Sequence, residues 1–395
     1  MAMIIQKFGG SSVATINHIK HVAAIIKAAC DRGNQVIAVV SAMGDETDRL
    51  VGLMQQLCDT PIDREYAALV ASGEQVASAL LSMALQQIGV ASKSFMGFQI
   101  ELLTQMQYRK SRVTSVNARK LLDEVDRHVV PVVAGFQGVN EQQEITTLGR
   151  GGSDITAVAL AAFLDAEECQ IFTDVAGVYD ADPRLVADAQ LINALSYDEM
   201  LIFAQLGAKV LQTHSVEMAR KYRVPLRVLS SIEPASGTLI TSSHMPADSL
   251  VSGIACVDDQ VKVTLCDLTS LQLTDVLQHM HVELIEHDML SKNHKHDDRY
   301  DVSFAIAKLE LPRLCKLTDD FHIQAGMAKI SLVGQGMQTH AGFAAKIMQL
   351  LASKGIHIHS IVSTTLQVSI LIDSSQLNVS VNLLHSEFKL RAQLV

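Results

Sequence analysis

The length of 395 residues is too great for one ordinary hydrophobic core and predicts two or three domains. The formal net charge of −10 argues against a nucleic-acid partner, because that affinity comes largely from cations that neutralise phosphates. With 48% hydrophobic residues, no signal peptide and no apolar run of the ~20 residues that cross a bilayer, we expect a folded, cytoplasmic protein with no membrane partner.

Up to about residue 229, short apolar runs alternate with stretches of helical periodicity, which is typical of βαβ units. Continuous apolar runs such as 129–134 indicate strands buried on both faces, so we predict an α/β fold with a mostly parallel sheet sandwiched by helices. Ligands of such sheets bind beyond the carboxyl ends of the strands. The predicted strands are 3–8, 35–41, 129–134, 169–174 and 226–229, and the predicted helices are 16–29, 66–87, 154–164, 199–205 and 215–222.

The composition changes between residues 230 and 249, where Ser, Pro and Gly cluster, and this indicates a domain boundary. Two segments of similar pattern follow, and each resembles a small α+β module of the βαββαβ type. Such an internal pair indicates a regulatory or assembly role. The predicted domains are therefore 1–245, 250–328 and 329–395. The predicted strands of the last two are 261–265, 282–285, 302–307, 329–333, 357–363 and 366–372, and the predicted helices are 270–280 and 342–354.

Two glycine-rich segments, KFGGSS at 7–12 and GRGGSD at 149–154, each carry a cation where a strand gives way to a helix. Glycine lets backbone amides approach anionic oxygens, and the amino end of a helix attracts them, so both segments predict a site for phosphate and carboxylate. Neither fits the pattern GxxxxGK[ST], which excludes an ordinary P-loop protein.

Lys7 and Arg150 are the cations of these segments. Lys7 would reach phosphates bound by the loop amides, although a lone lysine at a strand end is often only a surface residue. The planar fork of Arg150 suits a carboxylate, and Asp154 next to a lysine would hold that lysine during phosphoryl transfer. Ser153 or Asp154 could instead cap the following helix, and we expect one of them to do so.

Two further features have both a functional and a purely structural interpretation. Glu74 and the glycine before it interrupt an apolar helical stretch, which predicts either a kink or a carboxylate aimed at a substrate ammonium. The segment TDVAGVYDADPR at 173–184 is either a polar turn or a nucleotide-binding loop, with Tyr179 to stack and Arg184 to meet phosphate. Lys209 adds a third cation by the same logic.

Four motifs occur in a fixed order, KFGGSS, GRGGSD, TDVAGVYDADPR and GAKV at 207–210, and together they are specific, although each alone would be weak. With them, almost the whole chain resembles the aspartate kinases of the amino-acid-kinase family, in which a catalytic domain precedes paired ACT domains. The resemblance implies transfer of the γ-phosphoryl group of ATP to the β-carboxylate of L-aspartate. The product, 4-phospho-L-aspartate, enters lysine, threonine, methionine and diaminopimelate synthesis, and Mg²⁺ is expected to bridge the phosphates.

The resemblance also implies roles for individual residues. Lys7 and Asp154 are implied as the catalytic pair. The residues implied to bind aspartate are Thr47, Glu74, Arg150 and Ser153. The residues implied to bind ATP are Lys7, Gly9, Gly10, Ser11, Thr173, Asp174, Tyr179, Arg184 and Lys209. No metal-ligating residue is predicted for the histidines between 279 and 296, since a metal site needs ligands that converge in space. The stretch NHKHDDR at 293–299 mixes both charges and is typical of a solvated loop between strands.

The resemblance further implies a homo-oligomer with lysine or threonine as a feedback effector at the ACT domains. This chain departs from the family at the effector pocket of the first ACT domain, where it reads DLTSLQ at 267–272 in place of a Pro-Gly turn. In the second, Ala341 stands where a proline is usual. Turn residues set backbone freedom, so we expect effector binding to differ from the family pattern.

Two other functions fit parts of the pattern. Kinases of acetylglutamate, glutamate, carbamate or UMP share the fold, but the paired ACT-like segments and the set Glu74, Arg150 and Ser153 favour aspartate. A catalytically silent amino-acid sensor would need only the ACT-like pair, whereas Lys7 and Asp154 favour an enzyme.

Overall fold

The structure, a computed structural model, divides into two compact units. The first comprises Met1–Val178 and Leu191–Met245, and the second comprises Tyr179–Gln190 and Pro246–Val395. The residues that it describes are 2–206, 210–233, 235–242, 250–283, 285–295, 298–315, 321–335, 337 and 342–388.

The first unit alternates strands and helices as the sequence predicts, with additional short strands that carry too few residues to show a period. Its strands are β1 Met3–Phe8, β2 Gln35–Val40, β3 Ser92–Phe95, β4 Leu103–Thr104, β5 Val113–Ser115, β6 Val130–Ala134, β7 Gln137–Val139, β8 Ile145–Thr147, β9 Glu168–Thr173, β10 Ala194–Ser196, β11 Leu226–Ser230 and β12 Thr238–Thr241. Its helices are α1 Ile16–Asp31, α2 Glu46–Leu57, α3 Asp63–Gln87, α4 Arg119–Val125, α5 Gly152–Phe163, α6 Tyr197–Gln205 and α7 Thr213–Tyr222.

The main sheet of this unit has the strand order β10-β12-β11-β9-β1-β2-β6-β3. Its neighbours run parallel except β11 and β12, so the predicted mostly parallel α/β sheet is confirmed. A small second sheet has the order β5-β4-β7-β8. Because β1, β2, β6, β9 and β11 run in one direction, their carboxyl ends meet at one edge of the main sheet.

Successive side chains of β1 point to opposite faces of the sheet, so one face contributes to the hydrophobic core and the other to the candidate site. Ile4 and Phe8 join the hydrophobic core that α1 and α3 form over one face, and Phe8 stacks on Phe172 of β9 with ring centroids 4.7 Å apart. Lys7 points to the opposite face, since successive side chains of a strand alternate. There it meets α5.

The helix α3 runs without a break through Gly73 and Glu74, so these two residues do not interrupt the helix as their sequence suggested. Among the described residues it is the one helix long and apolar enough to cross a bilayer, with a mean hydropathy of 1.4 over its best window. The expectation that no apolar stretch reaches this length is therefore wrong for α3. Half of that window is buried inside the fold, and core helices pass the same test. The inward side chains of α3, including Ala77, Leu81 and Leu85, belong to the core against the sheet.

The second unit contains one antiparallel sheet with the order β14-β15-β13-β16-β18-β17. Its strands are β13 Gly253–Thr269, β14 Asp288–His294, β15 Arg299–Ala307, β16 His322–Val333, β17 Ser360–Ser363 and β18 Gln367–Asp373, and its helices are α8 Ser270–Val282, α9 Leu311–Leu314, α10 Phe343–Ala352 and α11 Leu377–Glu387. The strand predicted at 282–285 is wrong, because α8 continues to Val282 and the next strand begins at Asp288. The limit predicted between the second and third domains, 328/329, falls inside β16, and the division into two ACT modules stays a prediction.

The segment Tyr179–Gln190 belongs to the second unit, although it lies within the stretch 1–245 predicted as one domain. Ala181 and Val186 are buried in the core that β16, β18, α10 and α11 form, and the N–H of Ile254 donates to the carbonyl of Asp180 at 2.7 Å. The burial of these two apolar side chains holds the segment in the second unit, although most of its residues are polar.

A buried contact between a carboxyl group and an imidazole fixes this segment to α11. Asp180 Oδ2 lies 3.2 Å from His385 Nε2, and each side chain is 7% exposed. Burial raises the pKa of the Asp180 carboxyl above its ordinary value, and His385 acts in the opposite direction.

We expect His385→Ala to lower the free energy of unfolding of the second unit by about 1–3 kcal/mol. The substitution leaves the buried Asp180 Oδ2 without its partner, while Oδ1 keeps the N–H of Gln190 at 2.8 Å. His279→Ala removes a member of an exposed i,i+4 pair and should change stability by less than about 0.5 kcal/mol. Urea denaturation of both full-length variants measures the difference. Equal effects would show that the Asp180–His385 pair does not stabilise the unit.

Candidate active site

The centre of the candidate site is an ion pair between β1 and α5. Lys7 Nζ lies 2.6 Å from Asp154 Oδ1, and the two side chains are only 11% and 9% exposed. Asp154 is in the first turn of α5, where the helix dipole favours a carboxylate. An ammonium can donate up to three hydrogen bonds, so Lys7 can bind anionic ligands while it is paired with Asp154. The two glycine-rich segments, far apart in sequence, therefore converge as predicted.

The turn into α5 requires glycine. Gly149 and Gly151 have φ values of 79° and 69°, and a Cβ at Gly151 would lie 2.4 Å from Gln212 Cγ. The expectation that Ser153 or Asp154 caps the helix is wrong, since Gly151 is the N-cap residue and no side chain caps it. Arg150 is exposed on this turn and Ser153 is buried. Both side chains therefore stay available for ligands rather than for capping.

Backbone contacts on two sides hold the glycine loop after β1. The N–H of Gly9 donates to the carbonyl of Phe172 at 3.2 Å, and the N–H of Gly44 donates to the carbonyl of Gly10 at 3.1 Å. The N–H groups of Gly10 and Ser11 donate to no acceptor in the described part of the chain. A short 3-10 helix spans Ser11–Val13 with Gly10 as its N-cap, and α1 begins only at Ile16. The amides free for an anion therefore lie at the start of this short helix and not, as predicted, at the start of the long helix.

The loop after β2 joins the glycine loop to α3. A Cβ at Gly10 would lie 3.0 Å from the carbonyl oxygen of Ala42, and a Cβ at Gly73 would lie 2.8 Å from Ala42 Cβ. The N–H of Ala42 donates to Glu74 Oε1 at 3.1 Å. The glycine loop, the loop after β2 and the helix α3 therefore meet at Ala42. The absence of a Cβ at Gly10 and Gly73 allows this close approach. Thr47, half-buried in the first turn of α2, lies five residues farther along this segment.

Glu74 is a buried carboxylate with an unused oxygen. It is 3% exposed, and its Oε2 is buried without a hydrogen-bond partner in the described chain. Burial raises the pKa of this carboxyl to about 7 from an ordinary value of 4.5. A buried acceptor without a donor is costly, which favours the interpretation that a ligand cation completes it.

The structure places the predicted nucleotide residues in three groups. Thr173 ends β9 and its hydroxyl donates to the exposed Asp174 carboxylate at 3.0 Å. Tyr179 and Arg184 belong to the second unit, where the Arg184 guanidinium pairs with Asp182 at 2.6 Å and is 89% exposed. Lys209 lies outside the described residues.

Two residues at the same edge of the sheet were not predicted. Phe136, two residues after the end of β6, has a φ of 68°, an uncommon conformation for a bulky side chain. Gly135 before it allows Ser153 to approach, since a Cβ there would lie 2.7 Å from Ser153 Oγ. The signal in the sequence was the glycine at the end of a strand predicted to be buried, the same signal that marked the loop after β1.

Comparison with known proteins agrees with this geometry. A sequence model described as the amino acid kinase family matches residues 2–230, and a model of an ACT domain matches residues 330–388. An aspartate kinase of Stutzerimonas stutzeri is 42% identical over 405 aligned positions, which cover 99% of this chain and 98% of that protein.

Solved structures similar to this chain are also aspartate kinases. An aspartate kinase from Synechocystis is 36% identical with a TM-score of 0.57, and the match covers 98% of this chain and 70% of that one. The E. coli aspartokinase III in complex with lysine and aspartate has a TM-score of 0.82 over 98% of this chain and 99% of that one, and at 23% identity it supports the fold alone.

We expect Gly73→Ala to destabilise the protein by about 1–3 kcal/mol, although alanine is normally the better helix former, because the new Cβ pushes Ala42 and the loop around it. Gly52→Ala in α2 is the matched control, since a Cβ there meets no atom within 4 Å and should stabilise by about 0.5–1 kcal/mol. Thermal unfolding distinguishes the two. Stabilisation by both substitutions would contradict the close contact.

We expect Glu74→Gln to remove a pH dependence of stability. The native carboxyl keeps its proton up to about pH 7, whereas in the unfolded chain it loses it near 4.5, so native stability falls as the pH rises between these values. The loss reaches about 3 kcal/mol at pH 8, at roughly 1.4 kcal/mol per pKa unit. The glutamine variant should be more stable than the native chain at pH 8 but not at pH 5.

Denaturation at both pH values measures this effect, with Glu65→Gln as the control on the exposed start of α3. Parallel pH profiles for the native chain and Glu74→Gln would contradict a raised pKa.

Proposed function

The chain belongs to the amino acid kinase family and phosphorylates aspartate with ATP, and we propose that it does so around Lys7 and Asp154. The γ-phosphoryl group goes to the β-carboxylate, and the product, 4-phospho-L-aspartate, is the first intermediate of lysine, threonine, methionine and diaminopimelate synthesis. The observation that carries the assignment is the buried pair of Lys7 and Asp154, 2.6 Å apart, beside a loop with free amides. An amino-acid sensor without activity would not need this pair.

Lys7 and the glycine loop neutralise the phosphates. The ammonium of Lys7 and the free N–H groups of Gly10 and Ser11 bind the phosphate oxygens, and Gly9 allows their approach. Asp154 holds the ammonium in place, so that the positive charge is already positioned when negative charge spreads over the transferred group. Thr173 and Asp174, at the end of β9, hold the next part of the nucleotide. The nucleotide roles of Tyr179, Arg184 and Lys209 stay predictions from the sequence.

Aspartate is held by groups of matching charge. Glu74 binds its ammonium through the unpaired Oε2, and Arg150 binds a carboxylate through its planar fork. Thr47 and Ser153 add hydroxyl groups. A free aspartate side chain is ionised near neutral pH, so the nucleophile needs no general base. The protein therefore acts by positioning two anions and neutralising charge.

Mg²⁺ fits this site as part of the nucleotide rather than as an ion held by the protein alone. Among the described residues no three His, Cys, Asp or Glu side chains come together to hold a metal. Mg²⁺ commonly keeps several waters and uses phosphate oxygens with one or two carboxylates. The exposed carboxylate of Asp174, with Thr173 as its only described donor, would supply such a ligand. The ion would neutralise phosphate charge.

The second unit has a regulatory role in the proposed function. It binds lysine or threonine as a feedback effector, and the chain assembles as a homo-oligomer in the cytoplasm. The match of residues 330–388 to an ACT domain supports this role. At the departing stretch 267–272, Thr269 caps α8 in a capping box with Gln272. Initial rates with and without lysine and threonine test whether this altered turn still responds to an effector.

We expect Lys7→Ala and Asp154→Asn to lower kcat on the order of 10²- to 10³-fold or more, because each removes positioned charge from the transition state. Lys27→Ala, which breaks an exposed pair on α1, is the control and should keep full activity. Trapping the acyl phosphate as a hydroxamate measures turnover, and circular dichroism checks folding. Lys7→Ala activity equal to that of the control would refute the assignment.

A further inference from the structure

The hydroxyl of Ser231 connects loops that follow strands which are not neighbours. Ser231 follows β11 and Ser12 follows β1, while β9 lies between these strands in the sheet. Ser12 Oγ donates to Ser231 Oγ at 2.8 Å, and Ser231 Oγ donates to the carbonyl of Thr173, the last residue of β9, at 3.1 Å. The N–H of Ser231 donates to the same carbonyl at 2.8 Å. A hydrogen-bonded chain therefore crosses three carboxyl ends.

The two hydroxyl groups of this hydrogen-bonded chain are buried, so they bond to each other rather than to water. Ser12 is 5% exposed and Ser231 is 6% exposed, so water does not easily replace either partner. Each hydroxyl gives its one proton along the chain, and Ser231 both accepts and donates. Removal of the Ser231 hydroxyl leaves the buried Ser12 hydroxyl without its acceptor.

The hydrogen bonds from Ser12 to Ser231 and on to Thr173 fix one side of the glycine loop. Ser12 closes that loop, because its N–H donates to the carbonyl of Gly9 at 3.0 Å. The other side is held by the contact of Gly44 with Gly10. Between these two fixed points lie the N–H groups of Gly10 and Ser11, which donate to no described acceptor. Any movement of Ser12 therefore changes the arrangement of both free amides.

We infer that Ser231 is a positioning residue for the nucleotide: acting through Ser12, it holds the glycine loop in the arrangement that binds the phosphates of ATP. This inference rests on the proposal that the loop binds phosphate. Ser231 touches no substrate in this role, and aspartate binding does not depend on it.

The experiment compares Ser231→Ala with Ser231→Thr and Ser231→Val in the full-length chain. Threonine and valine have the same shape and differ only in the hydroxyl group. Loss of one buried hydrogen bond at a positioned loop should raise KM for ATP and Kd for ADP about tenfold in the alanine and valine variants. KM for aspartate should change less than about twofold, whereas a general structural defect would change both KM values. Threonine, which keeps the hydroxyl, should restore nucleotide affinity relative to valine.

A second readout is the double-mutant cycle. Ser12→Ala should reproduce the effect of Ser231→Ala, and the double variant should be no worse than either one, because both break the same chain. The matched control is Ser92→Ala, which breaks a buried pair of the same kind, Ser82 and Ser92, at the start of β3. It should lower the melting temperature but leave nucleotide affinity unchanged.

Unchanged nucleotide affinity in folded Ser231→Ala, equal changes in both KM values, or additive effects of Ser12→Ala and Ser231→Ala would each overturn the inference. If Ser231→Ala does not fold, the threonine and valine pair and Ser12→Ala decide it alone. Failure of the proposed site is separate: it would show as full activity in Lys7→Ala, whatever Ser231 does.

Discussion

The parallel alignment of β2, β1, β9 and β11 is the constraint on which the active site depends. It brings their carboxyl ends to one edge, where the loops that follow come into direct contact. The N–H of Ser41 donates to the carbonyl of Phe8 at 3.1 Å, and that of Ser231 to the carbonyl of Thr173 at 2.8 Å. At this spacing a Cβ on Gly10 would lie 3.0 Å from the carbonyl oxygen of Ala42, which is closer than an ordinary van der Waals contact. Glycine therefore appears where one loop must approach another.

The site contains buried charge that the fold alone does not need. Lys7 and Asp154 neutralise each other, but Glu74 keeps an oxygen without a partner, and burial raises its pKa to about 7. Such a group destabilises the empty protein. In the proposed function, the ammonium of aspartate would relieve that destabilisation and hold the carboxyl ionised. The cost in stability would then become a preference for aspartate over acceptors without an amino group.

The motif TDVAGVYDADPR is divided between the two units. Thr173–Val178 belongs to the first, and Tyr179–Gln190 is built into the core of the second through Ala181 and Val186. The covalent chain therefore runs from the end of β9 into the unit that matches an ACT domain. In the second unit, β13 and β16 pair along their lengths, so the two segments of similar pattern share one sheet.

The sequence by itself determined the parallel sheet, the helices that cover it and the two glycine-rich segments, because buried strands, amphipathic helices and strand-end glycines leave local patterns. It also predicted that Lys7 and Asp154 come together, although their contact at 2.6 Å joins a strand and a helix that are far apart in the chain. Only the tertiary structure decided that Glu74 lacks a partner, that α5 begins without a side-chain cap and that Ser231 reaches Ser12. Those facts depend on which buried atoms face each other across different elements, and no local period or composition records that.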